Sequence, residues 1–386
     1  MSGYHYIGFD IHKRSIQYCV KEAGGRIVEE GRLRASRAEL AEWAGRRGAP
    51  WRGAMEATMF SGWVWDVLRP YAERLQVAHP AMLKAITAGK HASDRLDARK
   101  IADLVRMGWI PEVWMAPPEL RQLRSMLRWR QLLVRQRVQT KNRMASLLME
   151  QGVDYVKQKL HGERYWGELM ERLAGEGVGE PVRALLEAGR GEVEMLGAME
   201  RGLRKRLAAD PQLAERVKRL MTVPGVGQIT ALTWAVEVGD VRRFGSIGRL
   251  LSYCGLVAAL QESAGKQHRQ PLSKKRNKHL QHVLVEAAHL AARRDAGLGA
   301  LYERVKAERH AGAAAVAVAR KLAAYLLAVD RSERPFQPRK PPQAPDSPAG
   351  KTASPPAPPI GEEDIARRSS PSRVRTAAAA PWTSAG

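Results

Sequence analysis

The chain has 386 residues, 44% of them hydrophobic, so it is long enough for two or three domains with substantial cores. Its 64 lysines and arginines outnumber 40 aspartates and glutamates, and the resulting charge of +24 points to a polyanionic partner, nucleic acid first. Cys19 and Cys254 stand alone in unrelated contexts, which excludes a disulfide framework and a cysteine zinc site. The sequence has neither an uncharged apolar run of about 18 residues nor a secretory leader pattern, so a cytoplasmic protein with no membrane attachment is expected.

Residues 4–34 alternate as strands do. "YHYIGFDIH" and "SIQYCVKEA" read as two of them, the glycines at 24 and 25 turn the chain, and "RIVEEGRL" continues the meander. "RAELAEWAGRRG" predicts a helix stopped by glycine, "WRGAMEAT" a short strand ending near Glu56, "SGWVWDVLRPYAERL" a second helix and "QVAHP" a further strand. The helix "HASDRLDARKIADL" follows, giving an α/β domain over 1–117.

From Glu119 to Leu148 nothing breaks a helical pattern, and Leu120, Leu123, Leu127, Val134, Val138 and Leu148 recur at helical spacing. Eight basic residues against one acid in 119–149 make its polar face a positive stripe. Arg128, Arg130, Arg135, Lys141 and Arg143 are the candidates there for phosphate contact, and a merely solvated face is the alternative. Helical patterning resumes over 163–219, interrupted by "GEGVGEP", and suggests an antiparallel return as a coiled coil, so 118–219 is expected to be a basic coiled-coil region.

Residues 220–330 read as an all-α domain. In it, "VPGVGQITALTW" is similar to the hairpin of a helix-hairpin-helix element, with Gly225 and Gly227 offering backbone N–H groups to phosphate. Between Lys266 and His282 lie six Lys/Arg, three His and no acid, which fits a DNA-facing loop with Lys266, Arg269, Lys274, Lys275, Arg276 and Lys278 as candidate contacts. Twelve of the 22 prolines fall in 331–386, a segment expected to remain disordered.

Four acids sit where ligands for a hard divalent ion would converge from different elements. Asp10 stands mid-strand among Ile7, Phe9 and Ile11, where a carboxylate is costly unless paired or metal-bound. Glu56 ends a strand, and Asp94 and Asp97 share one helical face with Cβ atoms about 5–6 Å apart. Capping by Asp94, with Asp97 in the first turn, accounts for that pair equally well. His12 and His79 are expected to be surface or strand-end histidines. The acids together describe the ribonuclease H-like arrangement of the RuvC resolvases.

With these residues in place, the chain resembles the DEDD-type transposases of the insertion sequence 110 and 1111 group. "YIGFDIHKRS", "AMEAT" and "SDRLDARKIADL" are similar to the family's acidic motifs, and "VPGVGQITALTWAVEVGDVRRFGSIGRLLSYCGL" with "QESAGKQHRQPLSKKRNKHLQHVLVEAA" to its C-terminal domain, the match covering about 1–300. The resemblance implies a RuvC-like N-terminal domain with Asp10, Glu56, Asp94 and Asp97 as ligands of Mg2+ or Mn2+. It also implies a serine nucleophile in the C-terminal domain, for which Ser263 is the best match. The family places Gly directly after that serine, and here Ala264 intervenes before Gly265; Arg276 replaces the usual Gly before Asn277. Double-stranded DNA, a structured noncoding guide RNA, homo-oligomerisation and association with the bacterial nucleoid are implied as well. A RuvC-type nuclease without a covalent step and a non-catalytic nucleic-acid-binding protein are the rival readings.

Overall fold

The structure is a computed structural model, and it describes residues 3–87, 94–263, 266–273 and 275–338. By contact density the chain divides into residues 1–336 and 337–386. The tail expected from its prolines lies, beyond residue 338, outside the described residues.

Strands β1 (His5–Ile11), β2 (Ser15–Lys21) and β3 (Ile27–Arg34) form the antiparallel meander, turned at Gly25, where φ is 89°. Helix α1 (Arg37–Gly45) starts at Ser36, which accepts from the Glu39 N–H, while the Glu39 side chain accepts from the Arg34 N–H. Strand β4 (Trp51–Glu56), helix α2 (Ser61–Leu68) and strand β5 (Arg74–Ala78) follow. Helix α2 stops seven residues short of the predicted end because Pro70 cannot continue it, and Arg74 onward is drawn into the sheet. Next come α3 (Pro80–Thr87) and α4 (Asp94–Met107); residues 91–93 of the quoted acidic stretch lie outside the described residues.

The sheet order is β3-β2-β1-β4-β5, with β4 and β5 parallel to β1. Alternation along β1 divides its side chains between two layers. Ile7, Phe9 and Ile11 pack with Leu40 and Trp43 of α1 and Val64 and Leu68 of α2. Gly8 and Asp10 face α4, which covers the other side with Ile101, Leu104 and Val105 against Ala54 and Ala78. Asp10 is therefore one residue from the end of β1, on the face opposite its apolar neighbours, rather than in the middle of an apolar strand.

Helix α5 (Pro118–Glu150) is unbroken, as its pattern predicts. Its buried side carries Leu123, Leu127, Leu133, Met144 and Leu148, whereas Val138 is half exposed and belongs to the outer face. After α6 (Glu163–Gly175), helix α7 (Glu180–Ala208) runs antiparallel to α5: Gly189 lies against Met144, Gly197 against Arg137, and Glu200 binds Arg130. The far end has its own core of Met144, Leu148, Trp166, Leu169, Leu173 and Leu186.

A larger core joins the near end of α5 to α8 (Pro211–Leu220), α9 (Gln228–Val238), α10 (Ile247–Tyr253), α11 (Lys278–Arg294), α12 (Ala296–Glu308) and α13 (Ala311–Ser332). Helix α13 is long and apolar enough to span a membrane. It carries Arg320 and Lys321 at its middle, and its buried face packs in this core through Val318, Leu322 and Leu326. The C-terminal region is not all-α: β6 (Ala258–Ser263) and β7 (Lys266–Leu272) form an antiparallel hairpin. The expected basic loop after Ser263 is thus largely a strand, since "KQHRQPL" has no helical apolar stripe and pairs antiparallel with β6.

Both cysteines are buried and free, Cys19 against Ala98 and Ala102 and Cys254 in the C-terminal core. Burial raises the Cys19 thiol and pushes that of Cys254 up to about 12. A thiol-reactive dye should therefore label neither in the native chain and both in denaturant; rapid native labelling would show that these cores open.

Candidate active site

Three of the four predicted acids are brought towards one another by the sheet. Parallel pairing of β1 with β4 matches Gly8 to Ala54 and Phe9 to Met55, so Asp10 and Glu56 follow at the same level on neighbouring strands, both on the α4 side. Helix α4 delivers Asp97 to that level by crossing β1 at Gly8. A Cβ at Gly8 would stand 2.1 Å from the Ala98 carbonyl oxygen and 2.5 Å from the Ala102 nitrogen, so only glycine allows this approach. The helix is fastened by Arg99, whose Nε and Nη2 donate to Glu30 on β3 at 2.7 and 2.8 Å, and by Lys21, which donates to Asp103 at 2.6 Å. Arg95 also reaches Glu30. Asp94 opens α4; its side chain lies outside the described residues.

The electrostatics report the same proximity. The Glu56 carboxyl is raised above its ordinary value by burial, then by the charge of Asp10 and, less, of Asp97, against the opposing pull of Lys84. Asp10 meets His12 Nε2 at 2.9 Å, and Asp97 lies 3.6 Å from Lys100 Nζ. Asp10 and Asp97 thus each have a local partner, and among the described residues no three acidic, histidine or cysteine side chains stand close enough to hold one ion as they are. The donor set itself, carboxylate oxygens from three elements with one raised by burial and by its neighbours, suits a hard divalent cation. His12 is accordingly tied to the site through Asp10, whereas His79 is a strand-end residue whose N–H donates to the Pro111 carbonyl at 2.8 Å.

Facing the edge of this sheet is a cleft of about 800 Å³. The α/β region contributes His79, Glu112 and Trp114, α5 contributes Arg124 and Arg128, and the C-terminal region contributes Arg243, Tyr253 and Lys275 to His279. Behind it lies a network that sequence reasoning missed. Glu237, fully buried on α9, accepts from Arg128 at 2.9 and 3.0 Å and from Asn277 Nδ2 at 2.8 Å. Arg124 donates to the Val236 and Glu237 carbonyls, and Tyr253 donates to the Glu237 carbonyl, each at 2.9 Å. Burial opposes ionisation of Glu237, yet the Arg128 hydrogen bonds and charge, with Asn277 and Arg124, hold its carboxyl below the ordinary value. The Arg243 guanidinium lies over the rings of Phe244, Trp114 and Tyr253, 4.1, 4.6 and 4.6 Å from their centroids. Asn277 meanwhile caps α11 through its Oδ1, so one residue ties the Glu237 network to the start of a helix.

The predicted phosphate contacts divide accordingly. Arg128 and Arg130 are engaged by the buried Glu237 and Glu200, which takes them from a free positive stripe. Arg135, Arg143, Lys275, Arg276 and Lys278 are exposed, and Lys141 is half-buried. The side chains of Lys266 and Arg269, and all of Lys274, lie outside the described residues, as does the side chain of Ser263, the last residue of β6. Gly225 is buried, and a Cβ there would meet the Ala291 backbone at 2.5 Å; it is a packing glycine between the α8–α9 turn and α11, while Gly227 remains exposed ahead of α9.

Comparison with known proteins matches these two regions separately. Residues 7–151 fit the profile of the DEDD transposases of IS110 type, and residues 217–303 that of the transposase IS116/IS110/IS902 family. Among similar proteins, a "Probable family 20 transposase" of Pseudomonas aeruginosa is 26% identical over 341 residues, 86% of this chain and 98% of its own length. The transposase for insertion sequence element IS1328 of Yersinia enterocolitica is 27% identical over 82% of this chain and 94% of its own. That for IS1111A of Coxiella burnetii is 26% identical over 74% and 78% respectively. With the acidic sheet under the first profile, the Glu237 network under the second, and both in one chain, the protein belongs to the IS116/IS110/IS902 family of transposases, enzymes that cut and rejoin DNA.

Proposed function

We propose that the chain moves an insertion sequence by site-specific recombination, with Asp10, Glu56, Asp94 and Asp97 holding divalent metal, Mg2+ first, and Ser263 as nucleophile. The observation that carries this reading is the meeting of carboxylates from β1, β4 and α4 around Glu56. The strand order 3-2-1-4-5 supports a RuvC-like assignment for this region, and the antiparallel α5–α7 pair supports the coiled-coil one.

Bound metal would neutralise charge developing on the phosphate and lower the pKa of an oxygen nucleophile. The chain's own groups do the rest. The Ser263 Oγ forms a bond to phosphorus as the bond to one deoxyribose oxygen breaks, and that oxygen takes up a proton. Attack by a deoxyribose hydroxyl of another strand then restores a diester and frees the serine, so the bond energy is conserved without ATP. The basic cleft holds and orients the DNA backbone through Lys275, Arg276 and Lys278, with Arg135 and Arg143 extending the positive surface along α5. A structured RNA from the same element serves as guide and a second copy of the chain as partner, on the strength of the family resemblance.

The test is to incubate the protein with Mg2+, element-end DNA and RNA transcribed from the element's flanks, then resolve protein from DNA under denaturing conditions. A protein–DNA adduct should form and should vanish in Ser263→Ala. Cleavage that persists in Ser263→Ala would favour the RuvC-type nuclease, which uses water. Unchanged DNA products from Asp10→Asn would favour a non-catalytic binder.

A further inference from the structure

We propose that Arg137, Lys141, His161 and Arg190 form a binding site for a phosphate oxyanion, supplied by the backbone of a nucleic acid strand lying against the α5–α7 pair. Arg137 and Lys141 are one turn apart on α5, and Arg190 comes from the antiparallel α7. His161 comes from the segment leading into α6, directly after the buried Leu160. None of them touches the carboxylates or the cleft already described.

Buried polar atoms without partners come first. His161 Nδ1 and Arg190 Nη1 are both buried without a hydrogen-bond partner, as is Nε of Arg183, seven residues before Arg190 on the same face of α7. Native structures rarely leave such groups unpaired, and orphans at neighbouring positions ask for an acceptor. Arg190 is also held in place beforehand: its Nε binds Glu194 at 2.8 Å, and its guanidinium lies 5.1 Å from the Trp166 ring. Glu194 sits on the solvent side, so Nη1 is left pointing inward.

Mutual repulsion is the second argument. Lys141 is lowered by burial and then by Arg137, and His161 by burial and then by Lys141, Arg190 and Arg137. Three cations from two helices beside a histidine, with part of their hydrogen-bonding capacity unused, match a group that offers several acceptor oxygens and negative charge at once, which a phosphate does. The choice of a nucleic acid as its source rests on the transposase family and on exposed Arg135 and Arg143, which continue the positive charge along α5.

The experiment uses the full chain and reads binding and thermal unfolding, without any strand cleavage, so it is independent of the proposed recombination chemistry. Affinity for a labelled DNA duplex and a labelled single-stranded RNA is measured against salt concentration, for wild type and for Lys141→Met with Arg190→Gln. Thermal midpoints are measured for the same proteins, and for Lys141→Met alone, with and without inorganic phosphate at matched ionic strength. For at least one nucleic acid, the slope of log affinity against log salt should fall by about 1 in the double variant. Phosphate should raise the midpoint of wild type but not of the double variant, and Lys141→Met alone should be at least as stable as wild type without phosphate. If the slopes hold while the phosphate effect is lost, the nucleic acid source is overturned and a free oxyanion is the ligand. If neither changes, or Lys141→Met is markedly destabilised without phosphate, the cluster is structural and the site is overturned.

Discussion

Gly8→Ala should disable strand cleavage nearly as completely as Asp10→Asn while leaving the protein folded. The added methyl would stand 2.1 and 2.5 Å from backbone atoms of Ala98 and Ala102, and backbone cannot rotate away as a side chain can. Helix α4 must therefore lift from β1, at a cost of about 1–3 kcal/mol by analogy with overpacked cores. Asp94 and Asp97 are carried away with it. A displacement of about 1 Å is enough to cost on the order of 100-fold in rate. Gly48→Ala is the control, because nothing lies within 4 Å of a Cβ there. Thermal unfolding and cleavage of element-end DNA measure the two effects separately. If Gly8→Ala cleaved as wild type does, α4 would not be what positions the acids.

Glu237→Gln carries the second large effect, on stability. The substitution keeps the shape of the side chain but removes the charge that compensates Arg128 and, at 3.9 Å, Arg124. Breaking a fully buried pair in this way costs about 3–5 kcal/mol, and the half-exposed Arg128 places this one at or below the lower end of that range. The folded-state carboxyl is depressed below its ordinary value of 4.5, so its contribution is full above that pH and is lost as pH falls through the depressed value. The wild-type advantage over Glu237→Gln should therefore shrink on acidification in denaturant titrations at a series of pH values. The amide offers one acceptor oxygen where the carboxylate offered two to Arg128 and Asn277, so the start of α11, which Asn277 caps, should become more open to proteolysis. An advantage under 1 kcal/mol that is indifferent to pH would mean that the network contributes little.

Asp10 and Glu56 are legible as strand-borne acids because alternation and strand length can be read locally. What alternation alone does not reveal is that both face the same helix, since that depends on the parallel pairing of β1 with β4. Gly8 passes for an ordinary strand residue until α4 is seen crossing it. Glu237 is hidden for a related reason: its partners Arg128 and Asn277 lie 109 and 40 residues away, and only an acid inside the otherwise apolar "ITALTWAVEV" signals that something must neutralise it. The stripe on α5 misleads in the opposite direction. Charge counted along one helix does not show which arginines, such as Arg128 and Arg130, are taken up by buried acids of other helices. The hairpin β6–β7 escapes because its strands mix polar and apolar residues without the regular alternation of a half-buried strand.

The 33 residues of α5 span about 50 Å, and its two ends belong to different cores, Leu123 and Leu127 to the large one and Met144 and Leu148 to the small one. Such a helix acts as a lever arm. A rotation of a few degrees where it is anchored becomes a displacement of several ångströms at its far end, while the small core keeps that end intact as it swings. The tip of the helix could thus change position without repacking the large core at its other end.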